Sequence, residues 1–368
     1  MNSTHERNKR VKEILDSLYS KAIDTTTHID ETPYKNSIDT LFSTTAWGFR
    51  EILLVVIVGM SLDITYRPST ALYDCNPRAI YEGPIKEFLI VKEIPHRKSG
   101  PLNVAKATLG LDSTWAAQRR PSNVATEVVN IIKYIEEDPA QLLARASSVG
   151  ISLFRRLLAQ AREIRELSVE IQPNANPEFL YWLCHELIAK APDAGNTPQR
   201  IAAYLLKNYH LSLQTGIVVT GEDDRASVTS TTSKKPGDIN EETSLGQILK
   251  VYEITVKPFD LARIRDSYDC LTIYNSNNGT NINEVIVICR AGDCPSDMNQ
   301  SNLHSFLGSY SYQNIVYYFI DIFEWIAMLL QHTAAVGRQN FYSDLNNYID
   351  DINTSEAVKA LWRTLHNQ

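Results

Sequence analysis

Only five cysteines occur in the chain, Cys75, Cys184, Cys270, Cys289 and Cys294, an odd and scattered set that argues against a disulfide framework and for a reducing, cytoplasmic compartment. Cys289 and Cys294 form a C-x4-C with no second pair and no closely following His, so a structural zinc site is not expected. No cationic stretch followed by an apolar run opens the sequence, and no secretory leader is expected. Long uncharged apolar runs are also missing. Glu51 to Met60 is too short to span a bilayer, and Ile315 to Leu330 is interrupted by Asp321 and Glu324. Both read as buried core helices, and no membrane partner is expected. There is no GxxxxGK[ST] and no GxGxxG, which leaves out a nucleotide-driven motor and a dinucleotide enzyme. No Ser-His-Asp or Cys-His set stands in a telling local context, so covalent hydrolysis has little support. Positive charge is not in excess either. The formal net charge is −7, unlike the basic footprint of a nucleic-acid binder. Net charge is a sum, however, and an acidic total leaves room for a local basic cluster.

What is present suggests two domains, because single cores stop growing beyond about 250 to 300 residues. Residues 1–172 read as mainly helical, 173–335 as an α/β domain, and 336–368 as a C-terminal helical cap. Val11, Ile14, Leu15, Leu18 and Ala22 recur at helical spacing, and a second helix runs through Trp47, Phe49 and Ile52 to Val58. Ser122 to Glu170 shows i, i+3, i+4 apolar spacing with charges opposite. Its arginines, Arg145, Arg155, Arg156, Arg162 and Arg165, suit a solvated or dimer-contacting face better than a phosphate-binding one. Pro177 to Ala191 starts a helix with Pro in its first turn, and GIVVTG, Gly216 to Gly221, reads as a first strand. The aromatic tail from Tyr310 onward reads as helical.

The most basic window lies between Asn76 and Pro121. It contains His96, Arg97, Lys98, Lys106, Arg119 and Arg120 with Asp112 nearby, and Asn103 and Gln118 offer amides. Arg and Lys contact phosphates or guanine, and Asn or Gln pairs with adenine in the major groove, so this is the expected DNA-facing surface. The alternative is that Arg119 and Arg120 cap a helix C-terminus while the lysines are solvated.

The chemistry concentrates between Lys234 and Lys257. Asp238 follows Pro236-Gly237, and Glu253, 15 positions later, lies in LKVYEITV, whose β-branched and aromatic residues read as a buried strand. Alternation puts Glu253, Thr255 and Lys257 on one face and Tyr252, Ile254 and Val256 on the other. A hairpin would bring the two carboxylates together with a lysine nearby. Such a pair suits a hard cation such as Mg²⁺, which binds through one or two carboxylates, waters and substrate phosphate.

An acid after Pro-Gly, about fifteen residues, then Glu-x-(Lys or substitute) in an apolar strand resembles the catalytic hairpin of the PD-(D/E)XK nucleases. PFDLARIRDSYDCLTIY then reads as the crossover helix and NEVIVICR, Asn283 to Arg290, as the next core strand. Two positions depart from the pattern: Gly237 precedes the acid, and Thr255 stands where Lys is usual, so that Lys257 or Lys235 would supply the charge. The resemblance implies an α/β fold with a mixed central sheet flanked by helices. It further implies type II restriction endonuclease activity: Mg²⁺ held by Asp238 and Glu253, double-stranded DNA cut at a short sequence, a homodimer, and a cognate DNA methyltransferase as functional partner. Lys235 joins the expected DNA contacts. Glu178 and Glu186 are candidates for a third acid, although a helix-dipole or surface role is the better reading of each, and Glu222, Asp223 and Asp224 are alternative ligands, although a run of acids at a turn is usually solvated. The rival expectation is a non-catalytic DNA-binding or antiphage adaptor protein with a degenerate nuclease fold. A hydrolase of smaller phosphoesters fits less well.

Overall fold

The computed structural model describes residues 4–96, 101–222 and 235–367. The chain forms two compact units, 1–166 and 167–368.

The first unit is helical. Its long helices are α1 (Thr4–Ile23), α2 (Lys35–Phe42), α3 (Gly48–Leu62), α4 (Ser122–Glu136) and α5 (Leu142–Arg165). The core forms around α3, in which every residue from Gly48 to Met60 is buried, as expected of a helix apolar on all sides. Gly59 lies inside this helix, where the Tyr66 ring occupies the space a side chain would need. The two charges buried on α3 are neutralised or hydrogen-bonded. Arg50 donates to the Leu41 and Thr44 carbonyls and to Gln160, and Glu51 accepts from Tyr81 at 2.8 Å. The arginines of α5 are mostly spent inside the unit. Arg156 bridges Glu31 at 2.9 Å and Asp39 at 2.6 Å, Arg155 reaches the Thr27 carbonyl, Arg145 the Tyr134 carbonyl, and Arg165 pairs with Glu93 at 3.0 Å. The expected solvated or dimer-contacting face is therefore largely a set of internal tertiary braces.

The second unit is α/β, built on a mixed seven-stranded sheet in the order β1-β2-β3-β4-β7-β6-β5. The strands are β1 (Val218–Thr220), β2 (Ile239–Glu242), β3 (Ile248–Ile254), β4 (Glu284–Cys289), β5 (Asn299–Gln300), β6 (Phe306–Tyr312) and β7 (Ile315–Asp321). Strands β1, β2 and β3 form an antiparallel meander, β3, β4 and β7 run parallel, and β6 and β5 return antiparallel. A parallel step needs a crossover, supplied between β3 and β4 by helix α8 (Leu261–Asn278). This helix covers one face with Val251, Val285, Val287, Tyr317 and Phe319 beneath it. The other face, bearing Ile239, Tyr252, Ile254 and Ile288, packs on α6 (Pro177–Lys190), α7 (Asn196–Ser212), α9 (Ile322–His332), α10 (Ala335–Asp350) and α11 (Glu356–His366). The helices after 335 thus share a core with the sheet.

Residues 315–330 correct the helical reading of the tail. Ile315 to Asp321 is a strand, and with Phe306 to Tyr312 it forms a hairpin whose turn has Gln313 at φ 53°. Ile315, Tyr317 and Phe319 alternate into the core, a period-2 pattern hidden in a run apolar enough to satisfy either period. Asp321 ends the strand by capping α9, its carboxylate accepting from the Phe323 and Glu324 amides at 2.9 and 3.2 Å.

Candidate active site

The hairpin of β2 and β3 places the paired acids. Ile239 pairs with Tyr252, so Asp238, one residue earlier, faces Glu253 across the ladder. The strands approach closely there. A Cβ at Gly237 would lie 2.5 Å from a Val251 methyl and 2.8 Å from the Tyr252 carbonyl oxygen, which is why glycine precedes the acid. The Asp238 backbone is clamped from behind. Gln199 of α7 donates to its carbonyl at 3.4 Å, and Gly221, at φ +100°, leaves no room for a side chain against that same oxygen. Its carboxylate in turn accepts from the Ile254 amide at 3.0 Å.

Glu253 points to the α8 side and is 6% exposed. Burial, then the Asp238 charge, pushes its carboxyl up to about 8, against the pull of Arg263 and a 3.0 Å hydrogen bond from Ser267 Oγ. Burial and the facing Asp238 charge therefore keep a proton on the pair near neutral pH. Arg263 and Ser267 are i and i+4 on α8, hence on one face of that helix. Asp260 caps the helix by accepting from the Arg263 amide at 3.1 Å. The Arg263 guanidinium donates to Thr255 Oγ1 and lies 5.0 Å from the centre of the Phe259 ring.

Thr255 is buried beyond the end of β3. Its hydroxyl donates to the Lys257 carbonyl at 2.9 Å and accepts from the Lys257 amide at 3.0 Å, which turns the chain. Lys257 is exposed on this bend. The alternation expected to align Glu253, Thr255 and Lys257 stops with the strand at Ile254, and the cation beside Glu253 comes from Arg263.

Asn240 was not singled out by the sequence reading. It shares the face of Asp238 and Glu253, is fully buried opposite Val251, and has neither side-chain polar atom hydrogen-bonded among the described residues. Asparagine is depleted in strands, which was the available signal. The opposite face of the hairpin carries Glu241, a buried carboxylate already engaged by Tyr252 at 2.9 Å, His210 at 3.1 Å and Lys250 at 3.4 Å.

The other candidate ligands lie elsewhere. Glu178 is exposed in the first turn of α6, Glu186 pairs with Lys190, and Glu222 pairs with Lys207 at 3.1 Å. Asp223 and Asp224 lie outside the described residues. Among the described residues no group of three or more His, Cys, Asp or Glu is placed to hold a metal. The donor set is thus a carboxylate pair, which fits Mg²⁺ with its retained waters and not four-coordinate zinc.

Of the expected DNA contacts, Arg97 and Lys98 lie outside the described residues. Asn103, Lys106 and Gln118 are exposed, and Lys235 is half-buried just before the hairpin. Arg119 reaches the Lys106 carbonyl at 3.4 Å, and Arg120 donates to the Ala117 and Arg119 carbonyls at 3.3 and 2.8 Å. Arg120 therefore serves the end of the helical turn Ser113–Ala117, the alternative role, while Arg119 braces the segment that carries Lys106. Trp115 is buried and donates to Val104. No helix among the described residues is long and apolar enough to cross a membrane. Comparison with protein-family models and with curated protein sequences returns no match.

Proposed function

We propose that the chain is a Mg²⁺-dependent endonuclease that hydrolyses phosphodiester bonds of double-stranded DNA. The observation that carries this reading is the carboxylate pair of Asp238 and Glu253, opposed on adjacent strands beside the Arg263 guanidinium, with burial and then the Asp238 charge pushing Glu253 up to about 8. A divalent cation would offset the charge of the paired carboxylates, and Asp238 and Glu253 are the residues that would hold it. When bound, Mg²⁺ lowers the pKa of a water and polarises a phosphoryl oxygen. Arg263 offsets charge developing on the phosphoryl group, Thr255 fixes the turn that orients Arg263, and Ser267 holds Glu253 in place. The meander of β1 to β3, the crossover helix and parallel β4 follow the order that the nuclease resemblance implies. Sequence-specific cleavage by a cytoplasmic homodimer, with a methyltransferase protecting the cell's own DNA, extends the same proposal.

Purified protein incubated with unmethylated DNA, in Mg²⁺ or in chelator, tests the reading beside Asp238→Asn. Discrete fragments that require both Mg²⁺ and Asp238 are expected. The second reading, an adaptor that binds DNA without cutting it, is favoured by one observation: the usual lysine position is a threonine whose hydroxyl is tied to Lys257 and Arg263. DNA shifted but intact under every condition supports that reading and overturns the first.

A further inference from the structure

We propose that Cys289 and Cys294 are a reversible thiol–disulfide site, oxidised by small disulfides of the glutathione class. Cys289 closes β4 and is buried, and Cys294 is half-buried after the helical turn Ala291–Asp293. Their sulfurs lie 3.6 Å apart. A disulfide needs roughly 2.05 Å, so the sulfurs must close by about 1.5 Å, within the reach of side-chain rotation. The turn that joins them is already held shut by Arg290, whose Nε donates to Asp293 Oδ2 at 2.6 Å.

The two thiols are also unequal. The hydrogen bond from Cys289 holds the Cys294 thiol below its ordinary value, although burial and the charges of Asp293 and Asp321 oppose it. Giving that bond, together with burial, pushes Cys289 up. The more accessible sulfur is thus the better thiolate and the buried one stands behind it, the arrangement of an attacking and a resolving cysteine. Cys75 and Cys184 lack this arrangement, since burial pushes both thiols up.

In the first step Cys294 thiolate attacks one sulfur of the small disulfide, forming a mixed disulfide and releasing one small thiolate. Cys289 then loses its proton to water and attacks Cys294 sulfur, breaking the mixed disulfide and expelling the second small thiolate. The protein gives up two electrons and two protons, and one small disulfide becomes two thiols. The bridge would lock a loop that braces its neighbour: Asp293 accepts from the Phe259 amide at 2.7 Å, and Arg290 Nη2 donates to the Val256 carbonyl at 2.5 Å. This chemistry is independent of the nuclease reading.

The test incubates the full chain with oxidised glutathione at pH 8, alkylates remaining thiols and digests with trypsin. Cleavage after Arg290 separates the cysteines, so the bridge joins peptide 266–290 to peptide 291–338, lighter by two hydrogens than their sum. Fragment ions should place it on Cys289 rather than Cys270. It should form at least about tenfold faster than any adduct at Cys75, Cys184 or Cys270, and dithiothreitol should reverse it. Cys289→Ser should accumulate glutathione on Cys294, and Cys294→Ser should leave Cys289 unmodified. A stable glutathione adduct on Cys294 of the native chain, or oxidation spread evenly over the cysteines, overturns the proposal.

Discussion

The proton shared by Asp238 and Glu253 should make the second unit lose stability as pH rises through neutrality. Glu253 is pushed from its ordinary 4.5 up to about 8, so the folded chain keeps a proton that the unfolded chain releases. The associated stability is fully present below 4.5 and is lost as pH rises toward 8, at about 1.4 kcal/mol per unit. Between pH 5.5 and 7.5 the loss is about 2.7 kcal/mol, or roughly 5–10 °C in melting temperature for a unit of this size. Glu253→Gln keeps an oxygen for Ser267 and an N–H for Asp238 but has no proton to lose. Urea unfolding in chelator across this range, read by hydrogen exchange on peptides spanning β3, should show the variant gaining about 2.7 kcal/mol relative to the native chain. Millimolar Mg²⁺ should flatten the native slope and leave the variant unmoved. Parallel pH profiles for the two proteins in chelator would refute the shared proton and the electrostatic argument built on it.

Two further perturbations probe the same hairpin. Arg263→Met removes the positive neighbour, so Glu253 should titrate higher still and single-turnover DNA cleavage should fall by at least about 100-fold with binding retained. Unchanged cleavage would reduce Arg263 to a brace for Thr255. Gly221→Ala puts a Cβ 2.0 Å from the Asp238 carbonyl oxygen at φ +100°, and should destabilise the unit by about 2–4 kcal/mol in urea titration. A loss under about 0.5 kcal/mol would show that the Asp238 backbone is not clamped there.

Much of the hairpin was legible because strand alternation is local. Once β3 is recognised, Glu253 must oppose Tyr252 and Ile254 in facing, and antiparallel pairing brings Asp238 to it. The end of the strand was not legible, since Thr255 turns the chain through hydrogen bonds to Lys257 that hydrophobic pattern does not encode. Arg263 escaped notice for a different reason. It reaches Glu253 only through the packing of α8 on the sheet, and its charge looks like any other on an amphipathic helix. The role of Arg156 was equally hidden, because Glu31 and Asp39 are more than a hundred positions away in the chain. Ile315 to Asp321 was misread because a wholly apolar run carries no period, and only the cap at Asp321 divides strand from helix.

The position of β7 also orders the birth of the sheet. It lies between β4 and β6, yet leaves the ribosome after both. Until residues 315–321 emerge, the nascent chain carries β4 with its inner edge unpaired, a template for wrong pairing with neighbouring chains. Only when residues 315–321 join does β4 gain its second neighbour and the sheet its continuity from β1 to β5.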